Sequence, residues 1–131
     1  MIKDAVVRML LSIMIGFLIG EDREEKHKPA GLRDMVFVTF SCCLFALIGV
    51  QYLGAQGVDM ARLLYAPIMG VGFLGSGVVM RGKHGVEGIT TATTLFICVA
   101  LGLMCGLGMY EFVCIASLLV YIILKGKTKI L

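Results

Sequence analysis

The chain has 131 residues, of which 59% are hydrophobic and 16% charged, with a formal net charge of +3 and a mean hydropathy of +0.95. A soluble domain carries about 25% charge, so a soluble globular class is excluded, and the length suits one compact helix bundle with no separate soluble domain. The modest basic excess gives no footing for nucleic-acid binding and instead serves topology and attraction to anionic lipid.

Five apolar segments follow one another: Ile2–Gly20, Met35–Leu53, Leu63–Met80, Ile89–Gly106 and Tyr110–Leu124. No sustained alternation supports a membrane barrel. Helices are therefore expected, since lipid leaves every backbone polar group to be satisfied within the segment. Lys3 and Arg8 precede a short apolar run, as in a signal peptide, but no small-residue cleavage site follows and a dense charge cluster begins after Gly20. The segment reads as a retained first span.

Residues 20–34 hold most of the charge. Glu24, Glu25, Lys26, His27 and Lys28 read as a solvated loop. Asp22, Arg23 and Arg33 abut apolar spans, where charges tend to face the bundle and find partners. Asp22 is expected to pair with Arg33 or Arg81. Pro29, Ala30 and Gly31 read as a turn, with proline fixing φ and glycine admitting a left-handed residue.

In the third segment Gly70, Gly72 and Gly75 spell a dinucleotide-binding pattern, but they sit inside a lipid-length apolar run and the next acid is Glu87. The pattern needs a preceding strand and a loop opening a helix, so nucleotide binding is rejected. Gly70, Gly72, Gly75 and Gly77 are expected to form a groove for close helix packing. The small-x-x-x-small spacing recurs at Ala66/Gly70, Gly16/Gly20 and Gly102/Gly106, the spacing that lets helix backbones approach in membranes. Pro67 is expected to kink its helix.

The fourth segment opens with Thr90, Thr91, Thr93 and Thr94. Their hydroxyls either return to the preceding turn or form a polar seam near Arg81 and Asp22. From Ile89 to Leu124 the chain runs 36 residues with one charged side chain, Glu111. A continuous helix of that length would extend roughly 54 Å against a hydrocarbon core of roughly 30 Å. The chain must therefore turn between Gly106 and Glu111.

Metal, cofactor and catalytic sets are not found. His27 and His84 stand apart, Asp59 and Glu111 lie at one edge and Asp22 at the other, and the five cysteines (Cys42, Cys43, Cys98, Cys105, Cys114) fall in apolar stretches without paired spacing. No serine or cysteine has a histidine and an acid nearby in sequence, so no enzymatic activity is expected.

Nine of the twelve basic residues fall in the first loop, the third loop and the tail. The positive-inside rule then predicts an all-α bundle of five crossings, with the N-terminus outside and the C-terminus cytoplasmic. The competing topology has four spans, with Tyr110–Leu124 lying at the interface.

Leu18–Glu24 followed by Pro29–Arg33, and Gly70–Arg81 followed by Gly85–Leu95, resemble in order and spacing the two signatures of the MgtC/SapB family of bacterial membrane proteins. The resemblance covers about residues 5–124. It implies a cytoplasmic-membrane protein of about five spans, tied to growth under magnesium limitation and, in pathogens, to survival inside host cells. It also implies a modulator of other membrane machinery, including the proton-driven ATP synthase, although members are often labelled as magnesium-transport ATPase protein C. Asp22, Arg23, Arg33, Arg81, Thr90 and Thr91 match the signature polar residues. Glu87 stands where a basic residue is common and Phe96 where tryptophan is common. The chain is expected to be a short form without the soluble domain that longer members append. Two functions are weighed: an accessory protein that docks on another membrane protein or complex, and an ion or small-solute channel formed by a homo-oligomer.

Overall fold

The computed structural model describes residues 2–28, 30–57, 59–82 and 85–130, with side chains described for these except at 55, 80–82, 87 and 127–130. The fold is all-α. Five helices follow in order, α1 (Ile2–Glu25), α2 (Leu32–Ile48), α3 (Met60–Val78), α4 (Ile89–Leu107) and α5 (Tyr110–Ile130). A wide π turn (Gly49–Leu53) and a 3-10 turn (Gly54–Gln56) prolong α2. The third apolar segment does not stay helical to Met80: α3 ends at Val78, and Met80–Gly82 (β1) pairs antiparallel with Gly85–Glu87 (β2) in a short hairpin.

The helix ends follow from local chemistry. Asp59 caps α3 by accepting the Ala61 N–H at 3.0 Å, which satisfies one of the orphan donors of the first turn. Pro67 lies within α3 and cannot supply the helical N–H, yet the helix is continuous across it. α4 ends at Gly108, whose φ of +80° is left-handed. The Met109 N–H then returns to the Met104 carbonyl at 3.0 Å, closing a Schellman turn. So the reversal falls between Gly106 and Glu111, where the turn residues stand.

Helix direction alternates. Gly20 faces Leu32, Gly49 faces Met60 and Leu63, Gly88 abuts Val78, and Gly108 lies against Arg8. One end of the bundle therefore gathers the α1–α2 turn, the β1–β2 hairpin and the end of α5. The opposite end gathers the start of α1, the α2–α3 connection and the α4–α5 turn. α5 runs the length of α1: Tyr110 bonds Asp4 at one end and Lys125 meets Asp22 at the other.

α4 is the central helix, packing on the other four. α2 is held between α1 and α4 by glycines. A Cβ on Gly16 would fall 2.8 Å from the Val36 Cα, and one on Gly20 would fall 2.6 Å from the Leu32 Cα. Gly102 similarly meets the Thr39 carbonyl, and a Cβ on Gly106 would lie 2.5 Å from that of Cys43. These glycines have no side chain because the facing backbone occupies the space. The core so formed contains Ile15, Ile19, Met35, Cys43, Ala46, Cys98, Val99, Leu101, Cys105 and Val113.

The outside is apolar. Leu10, Met14, Phe17, Phe37, Phe45, Met69, Phe73, Phe96, Phe112, Ile115, Leu118 and Ile123 are all exposed, Phe73 by 80%. Such a surface is stable only in lipid or against other protein. Residues Leu32–Leu53, Met60–Val78 and Ile89–Leu107 are long and apolar enough to cross a membrane. α1 and α5 have 24 and 21 residues and keep their charges toward their ends.

Candidate functional site: a buried polar cluster at one end of the bundle

Asp22 and Arg23 close the last turn of α1, and both are only 2% exposed. Adjacent helical positions point about 100° apart, so the two side chains serve different neighbours. The Arg23 guanidinium reaches across to α4. Its Nη1 donates to Thr94 Oγ1 at 3.3 Å and its Nη2 donates to Thr91 Oγ1. Its Nε donates to the Ala30 carbonyl at 3.0 Å, holding the turn that leads into α2. Thr94 passes its own proton to the Thr90 carbonyl at 2.7 Å, which leaves its oxygen free to accept from arginine.

Among the described residues Asp22 pairs with lysines rather than with Arg33. Its Oδ2 takes the Lys26 ammonium at 3.2 Å, and its Oδ1 has the Lys125 ammonium of α5 at 3.5 Å. Oδ1 makes no well-aligned hydrogen bond. Lys125 is shared with Glu25 at 3.4 Å, and Lys26 also donates to the Leu124 carbonyl at 3.0 Å. Partial desolvation pulls the Lys125 proton affinity down, but Glu25, Tyr121 and Asp22 together outweigh it and hold the ammonium above the usual lysine range. Arg33 is exposed and joins none of this. The Arg81 side chain, Pro29 and His84 lie outside the described residues. Of the two expected partners of Asp22, Arg33 is exposed and its place is taken by Lys26 and Lys125, while Arg81 has no described side chain.

Other assignments shift in the same way. Lys26 and Glu25 belong to the cluster rather than to a merely solvated loop. Glu24 accepts the Leu32 N–H at 3.0 Å and so caps α2. The left-handed residues of the turn are His27 and Ala30, both at φ +53°, whereas Gly31 has φ −87°. Of the threonines, Thr91 and Thr94 face Arg23, while Thr90 contributes its carbonyl and its side chain is exposed. The α3 glycines differ from those of α1 and α4. A Cβ at Gly70, Gly72 or Gly77 would meet nothing within 4 Å, and at Gly75 only the Ala92 methyl at 3.5 Å. Among the described residues no neighbour approaches Gly70 or Gly72 closely; Gly70 lines an open groove between α2 and α3.

A second polar knot closes the opposite end. Arg8 pairs with Asp4 at 2.6 Å and donates to the Gly106 carbonyl at 2.7 Å. Tyr110 donates to Asp4 at 2.6 Å. Arg8 thereby satisfies a carbonyl at the C-terminus of α4, where a cation is favoured. The Asp22/Lys26 and Asp4/Arg8 spacings are i,i+4 and were readable along the helix. Lys125 and Tyr110 were not, because only tertiary packing brings α5 to α1.

Chemically the main cluster sets two carboxylates, Asp22 and Glu25, against three cations, Arg23, Lys26 and Lys125. Arginine keeps its proton at any working pH, so Arg23 orients and binds but does not exchange protons. Among the described residues no three His, Cys, Asp or Glu side chains converge as metal ligands.

A sequence model of the MgtC family matches residues 9–131. SrpB of Synechococcus elongatus is 30% identical over 131 aligned residues, covering 91% of this chain and 72% of SrpB. YhiD of Escherichia coli strain K12, named as a candidate magnesium transporter, is 29% identical over 95% of this chain and 61% of its own length. Protein MgtC of Salmonella typhimurium is 30% identical over 88% of this chain. The chain spans 61% of YhiD and 48% of MgtC. No solved structure matches.

Proposed function

We propose that this chain, which belongs to the MgtC family, is a multi-pass protein of the bacterial cytoplasmic membrane that acts without catalysis, by docking on another membrane protein or complex during adaptation to magnesium limitation. The alternation of helix ends supports five crossings. The end bearing Arg23, Lys26, Lys28, Arg33 and Lys125 is read as cytoplasmic, because basic residues collect there; the N-terminus then lies outside.

One observation carries the modulator reading. Between the two polar ends the bundle is filled by Met35, Cys43, Cys98, Leu101 and Cys105, each no more than 2% exposed. Asp22, Lys26, Glu25 and Lys125 pair with each other at one end, and Asp4 and Arg8 at the other, rather than being strung along a path. Meanwhile broad apolar faces remain uncovered, including α3 with Gly70, Gly72 and Gly77. Docking would change a partner's behaviour only by favouring one of its states over another.

A second reading is a channel or carrier for an ion or small solute, made by several copies, as the name given to YhiD suggests for that protein. Purified protein in liposomes loaded with a magnesium-sensitive dye separates the two. No Mg²⁺ flux, together with a membrane protein crosslinked to the chain in native membranes, is the expected result. Flux by the protein alone would overturn the modulator reading.

A further inference from the structure

Two features remain unused by the packing described above. α2 and α3 diverge beside α4, leaving a sideways-opening cavity of about 540 Å³ between Phe37, Cys42 and Phe45 of α2 and Pro67 and Gly70 of α3. Its walls are almost wholly apolar, and a Cβ on Gly70 would meet nothing within 4 Å. The second feature is Arg33. It lies one turn before Phe37 on the same face of α2, is exposed, and among the described residues makes no ion pair or hydrogen bond. The nearby carboxylates do not answer it: Glu24 is held by the Leu32 N–H, and Asp34 points about 100° around the helix.

Arg33, without a protein partner among the described residues, therefore stands one helical turn before an apolar groove. From Arg33 to Phe45 the helix rises about 18 Å, close to half of a hydrocarbon core of about 30 Å. That is the depth filled by one leaflet's acyl chains. An arginine fork can take two oxygens of one phosphate at once, and phosphate is the anion a membrane surface supplies, with the net negative charge of an anionic lipid adding to the attraction.

We infer that Arg33 and the α2–α3 groove bind one anionic phospholipid, the phosphate on the guanidinium and an acyl chain along Phe37, Cys42 and Phe45 against Pro67 and Gly70. The inference rests on the membrane-spanning reading above, with the Arg33 end at a membrane surface. The site is distinct from the Asp22–Arg23 cluster, whose arginine is bonded to Ala30, Thr91 and Thr94 and whose aspartate faces Lys26 and Lys125.

Native mass spectrometry of the full chain released from nanodiscs of equal phosphatidylglycerol and phosphatidylcholine tests it. The expected result is one retained phospholipid, with phosphatidylglycerol favoured about fivefold, the factor given by about 1 kcal/mol for a basic residue at an anionic surface. Arg33→Gln should bring the preference near unity while lipid is still retained. Gly70→Leu, whose Cβ meets nothing within 4 Å and whose branched end occupies the groove, should lower retention of both lipids. Lys28→Gln, at the same end of the bundle, should leave the preference as in the native chain. Equal retention of the two lipids by the native chain, an unchanged preference in Arg33→Gln, or lipid-free dimers in place of the lipid complex would each overturn the site. Displacement of the lipid by glycerol phosphate would overturn the acyl-chain half of it. Release of the chain from membranes by alkaline carbonate would instead undo the spanning reading, a failure the lipid counts cannot imitate.

Discussion

Arg23→Lys keeps the charge of the buried cluster and removes its geometry. Among the described residues the native guanidinium donates to Ala30, Thr91 and Thr94. An ammonium on a shorter stem keeps one of these and abandons two acceptors inside the bundle. Interhelical polar contacts in membranes average about 0.6 kcal/mol and reach about 1.7, so losing two costs about 1–3 kcal/mol. The chain supplies its own reporter, because Cys42, Cys43, Cys98 and Cys105 are buried while Cys114 is exposed. Heating detergent-solubilised protein with a thiol-reactive fluorophore should show Cys114 labelled at once and the other four labelled on unfolding. The midpoint for Arg23→Lys should fall by several degrees, and Thr91→Val should account for part of that fall. A shift below about 1 °C would mean that the guanidinium contacts do not hold α1, α4 and the turn together.

Asp22→Asn should destabilise more than Glu25→Gln in the same assay, since Asp22 is buried between two ammonium groups whereas Glu25 is 60% exposed at its side chain; equal tolerance would remove Asp22 from the centre of the cluster. Gly102→Leu should prevent α4 from seating on α2 and abolish the cooperative transition, while Gly72→Leu, with nothing within 4 Å, should leave the midpoint unchanged. Ala30→Gly relieves a left-handed φ of +53° and should raise stability by about 0.5–1 kcal/mol, read as a higher midpoint; a lower one would show that the turn depends on the methyl group.

Composition and hydropathy settled by themselves that the chain is a helical bundle with an apolar outside, because segments of this length and greasiness have few other ways to satisfy their backbones. The sequence also placed the α4–α5 reversal between Gly106 and Glu111, where two glycines offer a cheap left-handed exit and the structure uses Gly108. The paired glycines of α1 and α4 were visible as spacings. Which spacing meets a neighbour was not, and Gly70 and Gly72 carry the same letters as Gly102 and Gly106 yet face open space. Periodicity reports which residues share a helix face, but not what stands opposite. The partners of Asp22 show the same divide: Lys26 lies one turn along the same helix, where local geometry dictates contact. Lys125 is a hundred residues away, and only the folding of α5 against α1 could bring it there. The unpartnered state of Arg33 was likewise a tertiary decision, fixed by the direction in which α2 leaves the turn.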